Sequence, residues 1–446
     1  MSAPHRRNAC PAVLTPMPTG DGLLVRLAPS GTIALDTFAA LCAAAGRHGS
    51  GIVEVTARGS IQVRGLTAAS APAFAQSVAR LGLARTDGIA VLADPLAGLD
   101  PSATIDTNAL AEALRDVLAR SALAAMLGPK VSVVVDGGGA LHLDTIRADV
   151  RLRVGSDGRL HVALGGDAAT ATPIGMVVRD QAADAATRLL AVIAAHGRQA
   201  RAHDMIRVGG VGAFRAALGE RVIDAPAPRV RVPGEPVGTH RLRAGRVALG
   251  VALAFGHTDV NALAEVVTAA QRAQAGGIRT APRHALLIVG IEPAQAPLLA
   301  ATAERVGSIV RADDPRRHIA ACAGAPHCAS AAIATRALGP ELAIAAAPLL
   351  DGSLTIHLSG CAKGCAHPAA AALTIVGADD GCGVVVQGTA GHAPLATVAG
   401  AALPARFARL AAQVAHARQP GERAAPALSR VEVAGIATIL QDADHG

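Results

Sequence analysis

Tryptophan and tyrosine are absent from this 446-residue chain, and phenylalanine occurs five times. A nucleic-acid binder that stacks bases on aromatic platforms is not expected from such a composition. Lysine is nearly missing too: Lys130 and Lys363 are the only two, so 39 of the 41 basic residues are arginine. Two readings of that bias stay open. One is a base-composition drift that swaps Lys for Arg. The other is a polyanionic ligand gripped by guanidinium forks, in keeping with a net charge of +7. Long apolar runs are also lacking. Leu342–Leu350 is broken by Pro348 and ended by Asp351, far short of the ~18 residues of a membrane span. Pro11, Pro16 and Pro18 interrupt the stretch behind Arg6 and Arg7, which leaves no signal-peptide core. The expectation is a soluble cytoplasmic protein with no membrane partner, whose seven cysteines are reduced and free to bind metal.

What is present is an apolar chain, 51% hydrophobic, which excludes wholesale disorder. Its 48 Gly and 26 Pro are scattered, so low-complexity readings fail. The chain also repeats itself. An ungapped slide of 225 residues puts Gly20 on Gly245, Phe38 on Leu263, Gly51 on Gly276, Arg58 on Arg283 and Gly65 on Gly290. Each copy shows an apolar alternation (Leu23, Val25, Leu27; Val247, Leu249, Val251), then a helix-period stretch, then a Gly turn into a β-rich run. Asp36 and Thr258 are the expected helix caps. A slide of 222 residues aligns the downstream parts, with Gly155 on Gly377 and Gly166 on Gly388. The predicted fold class is α+β with two homologous halves. Each half has a ferredoxin-like half-domain (1–90; 231–300) followed by a larger mixed α/β piece (91–230; 301–446). The Pro-rich segment Pro226–Pro236 is the expected linker. Ligands favour the seam between such halves.

The sharpest chemical signal is Cys322-Ala-Gly-Ala-Pro-His-Cys328 followed by Cys361-Ala-Lys-Gly-Cys365. Four thiolates in two short, glycine-framed pairs suit a 4Fe–4S cubane. Structural zinc prefers C-x2–4-C pairs and fits C-x5-C loosely, and inert core thiols have no reason to arrive as two close pairs. The first half has no cysteines at matching places, so the fold does not require the site. Cys10, Cys42 and Cys382 have no paired partner and read as core or loop thiols. His318, His327, His357 and His367 lie near the cysteines as candidate ligands or proton carriers, and Lys363 as a charge that could tune a cluster. Nucleotide signals are weak. Gly210-Val-Gly212-Ala-Phe-Arg215 lacks the third Gly of a dinucleotide fingerprint. Nicotinamide electrons would therefore come from a separate electron-donating reductase using NAD(P)H.

These strings resemble the sulfite and nitrite reductases, in which a sirohaem abuts a 4Fe–4S cluster. Within that superfamily they are most similar to the precorrin-3B synthases of aerobic cobalamin biosynthesis. The matches include Cys10-Pro11, Thr19-Gly-Asp-Gly-Leu-Leu-Val-Arg26, Thr56-Ala-Arg-Gly-Ser-Ile-Gln62, Pro95-Leu-Ala-Gly-Leu-Asp-Pro101, Gly245-Arg-Val-Ala-Leu-Gly250, Ala321-Cys-Ala-Gly-Ala-Pro326 and Ser359-Gly-Cys-Ala-Lys-Gly-Cys-Ala-His-Pro368. The last string is the most specific. The resemblance implies a monooxygenase that hydroxylates precorrin-3A with O2 and closes a lactone. It implies a 4Fe–4S cluster on Cys322, Cys328, Cys361 and Cys365, the last bridging to haem iron in the reductases. It also implies a second iron, sirohaem-like or mononuclear non-haem. A carboxylate-rimmed tetrapyrrole substrate suits an Arg-rich cleft. Arg58 and Gln62 match the R-x-x-x-Q of the reductases' cofactor strand, and Arg283 repeats Arg58 in the second half, with Arg64 and Arg279 nearby. Arg58, Gln62 and Arg283 are therefore the expected macrocycle contacts. Sulfite reductases use closely spaced lysines, which are missing here. A sirohaem-dependent sulfite or nitrite reductase is the alternative, and a non-catalytic protein stapled by metal the second alternative.

Overall fold

The computed structural model describes residues 11–83 and 88–441, so Cys10 lies outside the described residues. The first half opens with strands β1 (Met17–Thr19), β2 (Gly22–Leu27), β3 (Ile52–Val55) and β4 (Ile61–Leu66), paired antiparallel in the order β1-β2-β4-β3. Alternation decides what each face does. Val25, Leu27, Val53, Val55, Ile61 and Val63 point into the core, while Arg26, Glu54, Gln62 and Arg64 occupy the intervening, opposite positions. The helix Leu35–His48 covers the inner face with Phe38, Leu41, Cys42 and Ala45, spaced three and four apart.

A second sheet follows: β5 (Ala90–Ala93), β6 (Ser132–Asp136), β7 (Ala148–Val154), β8 (Leu160–Gly166) and β9 (Thr172–Val177), in sequential order. β5, β6 and β7 run parallel, and β8 and β9 are added antiparallel. The second half repeats both units. Its strands are β10 (Gly238–Arg241), β11 (Val247–Ala252), β12 (His257–Asp259), β13 (Gly277–Ala281) and β14 (Ala285–Ile291), then β15 (Ile319–Ala321), β16 (Ile356–Ser359), β17 (Ala371–Ala378), β18 (Gly381–Gly388) and β19 (Ala396–Val398). β15 to β19 reproduce the pairing directions of β5 to β9 strand for strand.

The duplication is written into the pairing between the halves. Ile33 bridges Ile278, and Thr258 of β12 pairs with Val53 of β3. The 225-residue slide carries Ile33 to Thr258 and Val53 to Ile278, so the two contacts are equivalent. Each half lends the segment before its first helix to the other half's sheet. The helices Leu35–His48 and Val260–Arg272 pack together, and one apolar cluster holds Phe38, Leu41, Val63, Leu263, Val266 and Ile288. Burying such side chains stabilises by roughly 1.5–3 kcal/mol each, so the half-domains share a core that neither could complete alone.

Two expectations change. Thr258 is a strand residue, and the cap of Val260–Arg272 is Asp259, whose carboxylate accepts from the backbone N–H groups of Asn261 and Ala262. Asp36 lies in the first turn of its helix, behind the N-cap Ala34. The segment Pro226–Pro236 contains no regular element but is fastened down. Arg231 bridges Asp136 and Asp144, Arg153 donates to the Arg229 carbonyl, and His142 contacts the Val232 carbonyl at 2.7 Å. Asp136, His142 and Asp144 bring ligand atoms within 4.8 Å of one another. The Arg231 guanidinium already supplies their cation. Among the described residues, no helix is long and apolar enough to cross a membrane.

Candidate functional site

β15 and β16 are parallel neighbours with Ala321 beside Leu358. Their C-terminal ends therefore release two loops side by side. Cys322 follows β15 directly, and Gly360-Cys361 follows β16. The loops are cross-linked. The Gly360 N–H points at the Cys322 sulfur at 3.1 Å, and the Ala332 N–H donates to the Gly360 carbonyl at 2.8 Å. Thr335, fully buried at the start of the helix Thr335–Ala345, donates to the Cys322 carbonyl at 2.6 Å. Gly324 turns with φ +65° against that threonine; a Cβ there would come within 2.2 Å of Thr335 Oγ1. In the second loop the Ser359 hydroxyl donates to the Cys361 carbonyl at 2.7 Å.

All four thiols are free; Cys322, Cys328 and Cys361 are half-buried and Cys365 is exposed. Burial pushes the Cys365 thiol up, and the charges of Cys361, Cys322 and Cys328 push it further. The four sulfurs are thus electrostatic neighbours. Three or more of them do not close to within 4.8 Å as ligands of one ion would. A multi-iron core sets its thiolates further apart than that.

The first half shows what the same loops do without cysteine. Asp94 follows β5 as Cys322 follows β15, and Gly137 follows β6 as Gly360 follows β16. The Gly137 N–H donates to Asp94 Oδ2 at 2.6 Å, and Thr107, fully buried before its own helix, donates to the same oxygen at 3.1 Å. A carboxylate bridges the loop pair there; a thiol stands in that place in the second half.

The cysteine loops meet the first half's polar face. The Ala329 N–H donates to the Gly20 carbonyl at 2.8 Å, in the β1–β2 turn. A Cβ on Gly20 would lie 2.3 Å from Cys328 Sγ. Gly20→Ala must therefore push the loop or the hairpin aside, a clash of the kind that costs ~1–3 kcal/mol. The expected result is less iron bound per chain with unchanged far-ultraviolet circular dichroism; full iron content would refute the contact. Behind this turn, Arg64 bonds Asp21 at 2.7 and 2.8 Å and Glu54 at 3.3 Å. Gln62, with its amide oriented to satisfy its neighbours, donates to Glu54 at 2.8 Å and accepts from Arg26 at 2.7 Å. The slide places Leu287 and Val289 where Gln62 and Arg64 stand, and these are buried with Leu96 and Leu141. The polar character belongs to one copy.

Gln62 thus lies on the face that meets the cysteines. Arg58 and Arg283 sit instead on adjacent hairpin tips, where the Arg283 N–H donates to the Ala57 carbonyl at 2.9 Å. The Arg58 side chain reaches Ser132 at 3.1 Å, and Arg283 pairs with Glu235 at 3.0 Å beside a small open cleft lined by Pro95, Leu141, His142 and Pro236. Sequence reasoning passed over Arg26, Asp21, Glu54 and His257. The first three were legible as polar breaks in an apolar alternation, whereas His257 depends on a strand donated by the other half.

His257 pairs across the strands with Glu54. It is 7% exposed, and both ring nitrogens lack a hydrogen-bond partner. Burial, then the charge of Arg336, push its pKa down to about 3. The unfolded chain takes up this proton near pH 6.5 and the folded chain does not. The stability is therefore complete above that value and drains as the pH falls. Between pH 7 and pH 5 this group alone removes about 2 kcal/mol. Denaturant titrations of His257→Gln should show a pH slope smaller by that amount; an unchanged slope would refute the burial of a neutral ring. His357, also fully buried, is pushed to about 4 by burial and by His367, whose ring lies 5.7 Å away.

Residues 15–81 match the family model of the nitrite/sulfite reductase ferredoxin-like half domain. A precorrin-3B synthase of Sinorhizobium sp is 38% identical over 98% of this chain and 95% of its own length. A sulfite reductase [ferredoxin] of Mycolicibacterium paratuberculosis is 32% identical over 44% of this chain and 38% of that protein. In fold, the chain is similar to the solved Mycobacterium tuberculosis NirA protein, with a TM-score of 0.71 at 22% identity, covering 93% of this chain and 84% of that one. The full-length likeness, carried on a duplicated fold with the half-domain at its start, places the chain in the precorrin-3B synthase family, within the superfamily of nitrite and sulfite reductases.

Proposed function

We propose that the chain is an oxygenase that converts precorrin-3A to precorrin-3B in aerobic cobalamin biosynthesis. One atom of O2 enters the product as a macrocycle hydroxyl, and a ring acetate closes a lactone. The second oxygen leaves as water with two electrons and two protons from a donor. The observation that supports this reading best is the likeness to precorrin-3B synthase along 98% of the chain, with the Cys328 loop packed on the turn at Gly20 of the polar half-domain. The donor set fits a 4Fe–4S cluster: four free thiols on two loops, and a peptide N–H already aimed at one sulfur. When bound, the cluster and a second iron, sirohaem-like or mononuclear non-haem, would supply the one-electron steps and the activation of O2.

The chain's own residues bind and position. Arg26, held by the buried Gln62, would offer its remaining guanidinium donors to carboxylates of a tetrapyrrole. Asp21 and Glu54 fix the Arg64 fork in one orientation. Arg58 and Arg283, at the hairpin tips, extend the same recognition to the rim. Electrons would come from a separate NAD(P)H-dependent reductase. In keeping with that, Gly210 and Gly212 join two helices, Ala202–Gly209 and Gly212–Leu218, rather than the strand and helix a dinucleotide fingerprint needs.

Incubating the anaerobically purified, reduced protein with precorrin-3A and O2 should give the hydroxylactone by mass. The alternative, reduction of sulfite or nitrite on a sirohaem, draws on the reductase-like fold. Sharp sirohaem bands with sulfite or nitrite turnover and no hydroxylactone would decide for it.

A further inference from the structure

We propose that Arg336 and His257 form a carboxylate clamp at the edge of the seam, taking one acid side chain of a carboxylate-rimmed macrocycle. The proposal rests on the functional reading above and assigns residues that the sequence motifs do not mark.

Arg336 follows Thr335, whose hydroxyl is tied to the Cys322 carbonyl. The guanidinium is therefore carried by a helix end anchored to the cysteine loop. One turn later Gly339 packs on the Phe255 ring, where a Cβ would come within 2.9 Å of Cζ. Positions 336 and 339 share a helix face. Phe255 precedes His257 by two residues, and their rings lie 6.4 Å apart. The helix thus carries Arg336 toward β12. The electrostatics agree: the charge of Arg336 acts on His257 and His327, and those of Glu54 and Asp259 act on Arg336.

Both groups lack what they need. Among the described residues Arg336 makes neither an ion pair nor a hydrogen bond, although burial disfavours its charge. The His257 ring is buried with two bare nitrogens. The buried imidazole has lost its water without gaining a partner, while the half-buried Arg336 guanidinium keeps donors free to take an anion. Local carboxylates do not fill the gap. Glu54 is bonded to Arg64 and Gln62, and Asp259 caps its helix. A metal ion is disfavoured, because Arg336 and Arg64 both repel it. One organic carboxylate satisfies both residues, accepting from the guanidinium fork and from an imidazole N–H.

The test is a titration of the protein, as isolated, with uroporphyrin III, which carries eight carboxylates, followed by absorbance. Coproporphyrin III, with four, and sodium acetate serve as comparison probes. Arg336→Gln and His257→Gln are each expected to weaken uroporphyrin binding about tenfold. The double variant should lose less than the product of the two, because both act on one carboxylate. Arg336→Lys, which keeps the charge without the fork, should fall between. The surface change Arg305→Gln should have no effect. Thermal melts and iron content report whether each variant is folded. Tight uroporphyrin binding by the native chain, unchanged in Arg336→Gln, Arg336→Lys and His257→Gln, would overturn the clamp and leave the functional reading standing. Acetate binding that depends on Arg336, without macrocycle binding, would make this a small-anion site and overturn the clamp. A native chain that takes up no macrocycle would bring down the functional reading and the clamp with it.

Discussion

Replacing Cys365 or Cys361 by serine should abolish both bound iron and acid-labile sulfide, and with them oxidation of precorrin-3A. Replacing Cys42 by alanine should leave iron content at the native level. The contrast follows from where the sulfurs sit. Cys361 and Cys365 flank Gly364 in one loop, and the Cys365 thiol feels the three other sulfurs. Serine keeps the shape but offers a hard oxygen that stays protonated at neutral pH, a poor exchange for a thiolate on iron. Cys42 is 3% exposed in the shared core, and burial alone pushes its thiol up to about 12. It is a small apolar filler with no ionised form to offer a metal. Its truncation should cost ~1 kcal/mol or somewhat more in stability. The assays are iron, labile sulfide and the visible spectrum for each purified variant. Equal loss at Cys42, Cys361 and Cys365 would mean that metal uptake merely follows folding, and the ligand assignment would fall.

The duplicated architecture was legible because it rests on spacings a single chain displays. The 225-residue slide that aligns glycines also aligns Ile33 with Thr258 and Val53 with Ile278, the residues through which the halves pair. The cysteine loops were legible for a related reason: short spacing and glycine are local properties. The counterpart of Cys322 was not. Asp94 and Gly137 are offset from Cys322 and Gly360 by different amounts, so an ungapped comparison passes over them, and aspartate does not look like cysteine. His257 and Arg336 were out of reach for another reason. Their meaning lies in a strand donated across the pseudo-symmetric interface and in a helix that lands on Phe255, and no periodicity announces such a meeting. Helix caps were missed by one or two residues because Thr258, a sound cap by chemistry, is claimed by a ladder hydrogen-bonded to the other half.

Arg64→Met should lower both stability and bound iron. Arg64 is the only cation bonded to both Asp21 and Glu54 among the described residues, and the three side chains are 15%, 3% and 17% exposed. Methionine fills the volume but takes from two buried carboxylates the cation bonded to both, leaving Glu54 only the more distant charge of Arg26, which costs ~3–5 kcal/mol. The pH dependence identifies the cause. Burial raises Asp21, but the hydrogen bonds of Arg64 and Thr19 outweigh it and hold the carboxyl below its usual range. That stability is present above the unfolded pKa, near 4, and is lost as the pH falls through the depressed value. Glu54 runs the other way: burial lifts it above the usual range despite Arg64, and the charge of Asp21 adds to the lift. In the variant both carboxyls rise, and each is relieved by taking up a proton. The deficit against the native chain should therefore be widest near pH 7 and shrink toward pH 5, as read from denaturant midpoints at the two values. The damage should also reach the cysteines. Asp21 lies in the turn whose Gly20 packs on Cys328, so a hairpin released from Arg64 no longer braces the loop, and bound iron should fall along with stability. A deficit that stays constant from pH 7 to pH 5 would show that Arg64 contributes by packing rather than by charge.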